Sequence, residues 1–134
     1  MSIQISTDKS ILDVDFIHQF LTRSYWAKGR TREEVQTSIE HCLCFGVYLE
    51  GKQIGFARML TDYVVFGYLM DVFIIEEQRG KGYSKQLMKA ITEHSDLQHV
   101  KRWMLATHDA HGLYTQFGFK EIEYPSRWMS KLIS

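Results

Sequence analysis

Apolar residues recur along this chain with two periods. Ile3 and Ile5 alternate with polar neighbours over residues 2–7, the pattern of a short opening strand. From Ser10 onward, Ile11, Val14, Ile17, Phe20 and Leu21 fall on one helical face, and Ser10 with Asp13 resembles a capping arrangement at its start. Thr31-Arg32-Glu33-Glu34 is a capping box opening a second helix to about Glu40. Residues 42–50 and 53–61 read as strands joined by a tight turn at Gly51-Lys52, so antiparallel pairing is expected.

The period then changes. Residues 64–75 are almost continuously apolar, which predicts a strand covered on both faces. A turn, Gln78-Arg79-Gly80-Lys81-Gly82-Tyr83-Ser84, leads into a helix marked by Leu87, Met88 and Ile91 and ending near Glu93. Residues 101–107 predict another strand and 109–116 a short helix. Final strands are expected at 119–124 and 128–133, around the only proline, Pro125. The order β-α-α-β-β-β-α-β-α-β-β describes a layered α/β domain spanning residues 1–134, without repeats or linkers.

The glycine turn stands where a helix begins, and there the chemistry becomes specific. The first turn of a helix leaves backbone N–H groups unbonded and carries the positive end of the helix dipole, so it attracts anions. Gly80 and Gly82 let a bulky group approach the backbone, and Arg79, Lys81 and Lys85 add positive charge. A phosphate or pyrophosphate suits such a place. A helix entry loop with incidental glycines would look the same locally, so the surrounding sequence has to decide.

Arg79-Gly80-Lys81-Gly82-Tyr83-Ser84 resembles the Q/R-x-x-G-x-G/A motif of the GNAT superfamily of N-acetyltransferases, with serine at the last position. A second segment, from Ala110 through Leu113-Tyr114 to Gly118-Phe119, is similar to that family's A-x-x-L-Y-x-x-x-G-F segment, in the same order. Thr107 stands where the family often carries asparagine. The resemblance implies a mixed central sheet flanked by helices on both faces. It also implies acetyl-CoA as co-substrate and an amine, small or peptide-borne, as acceptor.

Under this resemblance each candidate residue has a task. Arg79, Gly80, Lys81, Gly82, Tyr83 and Ser84 would hold the pyrophosphate, while backbone groups around Val72, Phe73 and Ile74 would hold the pantetheine arm and the acetyl carbonyl. Tyr114 would protonate the departing thiolate, whose thiol has a pKa of roughly 8.5 by analogy with cysteine. An alkylamine has a pKa of roughly 10.4 and must lose a proton before it attacks. Tyr68, where relatives carry a Glu or Tyr described as a base, is one candidate for that step. Asp71, a carboxylate interrupting an apolar run, is a second: it is either a base or substrate anchor, or a structural acid tied to the backbone or to Arg58. Tyr25, Trp26, Arg30 and Arg58 are the candidates for the acceptor pocket, joined by Asp62 and Tyr63, since aromatic rings and a guanidinium can hold a flat or acidic molecule.

Composition narrows the alternatives. Sixteen basic residues balance sixteen acidic ones, so no global field favours nucleic acid or an anionic membrane surface. No apolar run approaches a membrane span and nothing resembles a signal peptide, which leads to the expectation of a soluble cytoplasmic protein. Cys42 and Cys44 would share one strand face, badly placed to bond each other, and read as buried free thiols rather than a disulfide or a metal pair; without a His-acid partner in a recognised motif, neither is expected as a covalent nucleophile. His108 and His111 have helix-compatible spacing but no accompanying ligand set, so no metal is expected. The Gly-x-x-x-x-Gly-Lys-Ser/Thr pattern of nucleotide hydrolases is absent. A catalytically silent acyl-CoA sensor is the alternative to the transferase, and a homodimer is compatible with the resemblance.

Overall fold

A computed structural model describes residues 2–133. In chain order the elements are β1 (Gln4–Ser6), α1 (Val14–Thr22), α2 (Arg32–Glu40), β2 (Leu43–Leu49), β3 (Lys52–Thr61), β4 (Phe66–Ile74), α3 (Tyr83–Thr92), β5 (Arg102–Met104) and α4 (His111–Thr115). The five strands form one mixed sheet in sequential order; β1 to β4 are antiparallel and β5 runs parallel to β4.

Helices cover both faces, as the resemblance implied. On one face Ile17 and Leu21 of α1 and Val35 and Ile39 of α2 pack with Cys44, Phe56 and Phe73. On the other, Leu87, Met88 and Ile91 of α3 and Tyr114 of α4 pack with Phe45, Val47, Met59 and Leu69. Each fully buried aliphatic side chain in these layers contributes about 1.5–3 kcal/mol.

Local chemistry sets the element boundaries. The Thr31 capping box is complete, with the Thr31 hydroxyl accepting from Glu34 N–H and the Glu34 carboxylate accepting from Thr31 N–H. The hairpin turns at Glu50-Gly51, with φ of 51° and 79°, the paired left-handed geometry that matches strand twist. The first helix begins at Val14 instead of Ser10, because Asp8 caps a separate single turn at Ser10 and Asp13 caps α1 through Phe16 N–H.

The long apolar strand is shorter than its sequence suggests. The Asp62 carboxylate accepts from the backbone N–H groups of Val64, Val65 and Phe66 and holds them in a turn, leaving all three side chains exposed. Strands at 119–124 and 128–133 do not form. Tyr124 adopts a left-handed φ of 57°, a single turn follows at Pro125–Arg127, and the sheet ends at β5. Alternation gives a segment the capacity to be a strand, but a strand also needs a partner within the chain.

Both cysteines lie buried and free in the α1–α2 layer. Burial, reinforced by the neighbouring Cys42, pushes the Cys44 thiol from 9.0 up to about 12. Because the folded value is raised, the associated stability is present in full below about pH 9 and is lost as pH rises toward 12. Urea unfolding at pH 8 and pH 10.5 should therefore show a larger loss for the native chain than for Cys44→Ala; equal losses would contradict this assignment.

Candidate active site

Strands β4 and β5 pair at Phe66 with Arg102, Gly67 with Trp103 and Tyr68 with Met104, and then part. Beyond that point β4 continues to Ile74, whereas the other chain turns away through Leu105, Ala106 and Thr107. The gap widens into a cleft of about 1360 Å³ lined by residues 68–77 on one side and 105–110 on the other. Its far wall comes from α1 and the loop after it, and Leu113 and Tyr114 reach in from α4.

Asp71 sits at an irregularity in β4. Arg58 pairs with Met70 and Phe56 with Phe73, so two residues of β4 face the single residue Ala57 of β3, a bulge. Asp71 takes a φ of 56°, uncommon for a residue with a Cβ. The inserted residue reverses the strand's facing: Leu69 and Phe73, four apart, belong to opposite core layers. The Ile75 N–H donates to Ile54 C=O across the sheet. The preceding Ile74 therefore directs its backbone groups toward the open side, where Arg79 Nε donates to its carbonyl at 3.0 Å.

The bulge carries the Asp71 carboxyl into the α1–α2 side, where it is only 2% exposed. Trp26 Nε1 donates to Oδ1 at 2.9 Å, and Arg30 Nη1 and Arg58 Nε donate to Oδ2 at 2.6 and 2.5 Å. Burial alone would lower the Arg58 pKa; the adjoining Asp71 carboxylate reverses this and leaves it raised. Arg58 also donates to Cys42 Sγ at 3.4 Å. Among the sequence candidates, Trp26, Arg30, Asp71, Tyr25, Tyr68 and Tyr114 all line the cleft, whereas Arg58 lies behind it. Asp62 and Tyr63 stay in the exposed turn before β4, outside the cleft lining.

One wall of the cleft is lined with aromatic rings in contact. Phe20 lies flat on Phe73 at 3.8 Å, Trp26 meets both Phe20 and Tyr25, and Tyr25 meets His108 across the cleft at 5.7 Å. In the sequence, His108 stands out only for its spacing to His111, which carries no ligand set. No group of three or more potential metal ligands occurs among the described residues. What the sequence lacked was the direction of the chain after β5, which brings His108 opposite the aromatic loop.

At the other end of the cleft, α3 begins at Gly82 with a φ of 80°, preceded by Gly80 at 79°. Side chains of Asp13 and Thr31 cap α1 and α2, but no side chain caps α3. Its first backbone bond joins Gln86 N–H to Gly82 C=O, so the N–H groups of Tyr83, Ser84 and Lys85 precede any intrahelical acceptor. A Cβ built on Gly80 or Gly82 would meet nothing within 4 Å: both face open space. Here lies a recess of about 260 Å³, lined by Arg79, Gly80, Gly82, Ser84 and Lys85 among others. The described residues include no helix long and apolar enough to cross a membrane.

A sequence profile of the Acetyltransferase (GNAT) family matches residues 10–119. The chain belongs to that family. A "putative acetyltransferase" of Gibberella zeae is 30% identical to it, covering 82% of this chain and 74% of the other. The crystal structure of a "putative acetyltransferase belonging to the GNAT family" from Xanthomonas campestris is 46% identical, with a TM-score of 0.96 over 99% of this chain and 94% of that one. A predicted acetyltransferase of Clostridium acetobutylicum, crystallised with acetyl-CoA, shares the fold at a TM-score of 0.70 and 11% identity, over 98% of this chain and 96% of that one.

Removing the Asp71 carboxylate would leave two guanidinium groups facing each other with no counter-charge. Asp71→Ala should lower unfolding stability by about 3 kcal/mol, measured by urea titration; a loss below about 1 kcal/mol, the scale of an exposed pair, would contradict the buried clamp.

Proposed function

We propose that this GNAT-family protein is an N-acetyltransferase that moves the acetyl group of acetyl-CoA directly to a primary amine. The observation that carries the reading is that the recess at the uncapped start of α3 adjoins the cleft along the open side of β4, the two sharing Ile74, Arg79, Ser84 and Leu113, and that the cleft ends at an aromatic wall. Only a long donor with an anion at one end and a reactive group at the other uses all three parts.

In this reading the N–H groups of Tyr83, Ser84 and Lys85 receive the diphosphate, with Arg79 and Lys81 at its rim. The pantetheine arm lies along Val72, Phe73 and Ile74, replacing the strand neighbour that β4 lacks beyond Tyr68. An unpaired strand N–H there faces the acetyl carbonyl oxygen and stabilises the negative charge it gains. The amine nitrogen attacks the carbonyl carbon, a C–N bond forms and the C–S bond breaks. The sulfur leaves with the bonding electron pair.

Tyr114 is the proposed acid for that sulfur. Burial first, then the nearby Tyr25 and Asp109, raises its pKa above the ordinary 10.0. The phenol therefore holds its proton at neutral pH, the form in which it can donate to a departing thiolate. Asp71 serves best as a positioning residue: its oxygens are already occupied by Trp26, Arg30 and Arg58, and it fixes the loop that forms the acceptor wall. Tyr68, half-buried where β4 and β5 part and lining the cleft, is the proposed group for passing the amine proton to water.

The aromatic wall with Arg30 at its base suits an acceptor that joins a flat or anionic portion to its amine. Incubation with acetyl-CoA and a panel of such amines should release free thiol, and Tyr114→Phe should cut turnover by about 100-fold with acetyl-CoA affinity unchanged. Equal turnover in the variant would remove Tyr114 as the acid. Tight acetyl-CoA binding without amine-dependent release would identify a sensor instead of a transferase.

A further inference from the structure

The cluster around Asp71 does not balance its own charge. Two guanidinium groups, those of Arg30 and Arg58, pair with a single carboxylate that is 2% exposed, so one positive charge is left over. Arginine stays protonated in proteins, so this excess is permanent. A charge withdrawn from water is costly unless a counter-charge meets it.

The two arginines differ in what remains free. Arg58, 11% exposed and behind the cleft, engages Asp71 through Nε and Cys42 Sγ through Nη1. Arg30, 23% exposed and lining the cleft, makes one side-chain hydrogen bond among the described residues, from Nη1 to Asp71. A guanidinium carries five N–H donors, so most of those on Arg30 are left for an occupant of the cleft. Arg23 lines the same wall, to which α1 and the loop after it contribute no acidic side chain. The other carboxylates lining the cleft, Glu76, Glu77 and Asp109, follow β4 and β5 instead. Glu34 of α2 also feels Arg30, but the Thr31 capping box holds it outside the cleft lining.

The place of the excess charge limits the shape of an acceptor. Asp71, which holds Arg30, immediately precedes Val72, where the open side of β4 would receive the thioester. One step along a strand is about 3.3 Å. An anion held by Arg30 and an acetyl group beside Val72 are therefore close together, and the attacking amine has to lie near the acceptor's own anion. An α-amino acid, with a single carbon between the two groups, meets that demand. A polyamine or the side-chain amine of a peptide lysine carries no anion at that spacing. Exposed rings of Tyr25 and Trp26 stand beside Arg30 for the rest of the molecule.

We propose that the acceptor is a free α-amino acid with an apolar or aromatic side chain, its carboxylate paired with Arg30 and its side chain resting on Tyr25 and Trp26. This rests on the transfer reading given above. Arg58 acts from behind: by matching the charge of Asp71 it leaves that of Arg30 for the substrate.

Thiol release by the unaltered protein, with acetyl-CoA and a panel of apolar amino acids each set against its own carboxamide, tests the proposal without any variant. The best amino acid should exceed its carboxamide by about 10–100-fold in kcat/KM, the worth of a charge-assisted pair. An α-amine beside an amide loses its proton at roughly pH 8, more readily than one beside a carboxylate, so ionisation favours the carboxamide and cannot imitate this preference. Arg30→Gln, which leaves Asp71 paired with Arg58, should raise the KM for the amino acid about 10-fold or more and abolish the preference, with the KM for acetyl-CoA unchanged. Turnover of a carboxamide, spermidine or a lysine peptide equal to that of the best amino acid, or a preference that survives Arg30→Gln, would overturn the inference and leave the transferase standing. Tight acetyl-CoA binding with no amine-dependent release from any compound would overturn both.

Discussion

The parting of β4 from β5 is the constraint on which the rest of this structure depends. Strands in a sheet satisfy each other's backbone groups, and separating two of them leaves donors and acceptors that need other partners. Here the pairing holds for only three residue pairs before it opens. Arg79 meets one of these carbonyls, at Ile74. The remaining groups form a one-sided strand edge in a cleft, a surface suited to an extended ligand and poorly satisfied by bulk protein.

The Asp71 bulge explains how β4 serves two layers and a site at once. An extra residue costs a regular ladder and a left-handed φ, and it reverses the strand's facing between Leu69 and Phe73. The carboxyl it redirects is held by an indole and two guanidinium groups, which fasten β3, β4 and the loop after α1 together. Breaking such a buried cluster is costly even where forming it contributes little net stability, so its effect is chiefly to fix geometry. The stacked pair of Phe20 and Phe73 extends that fixed surface into the aromatic side of the cleft.

How far this was legible in the sequence depends on how local each feature is. The Thr31 capping box and the glycine entry to α3 are decided within a few residues, and the structure reproduces them; the hairpin forms too, with its turn at Glu50-Gly51, one residue before the expected Gly51-Lys52. The resemblance of 79–84 and 110–119 to the GNAT motifs also gave the family, which the matched profile shows. Asp71 was visible as an anomaly in an apolar run, with Arg58 already named as a partner. Its other two partners, Arg30 and Trp26, lie 41 and 45 positions away, beyond the reach of periodicity. The boundary at Val64 was obscured because a single carboxylate, Asp62, outcompeted strand pairing for three consecutive N–H groups. Strands expected at 119–124 and 128–133 failed for the opposite reason: their alternation is genuine, but pairing depends on a neighbour that sequence pattern does not specify.

A crystal structure of this chain with acetyl-CoA tests the central claim most directly. The diphosphate should lie within hydrogen-bonding distance of the Ser84 and Lys85 amides, and the acetyl carbon between β4 and the Tyr114 hydroxyl. A diphosphate bound away from the start of α3, or an acetyl group directed away from the open side of β4, would contradict it.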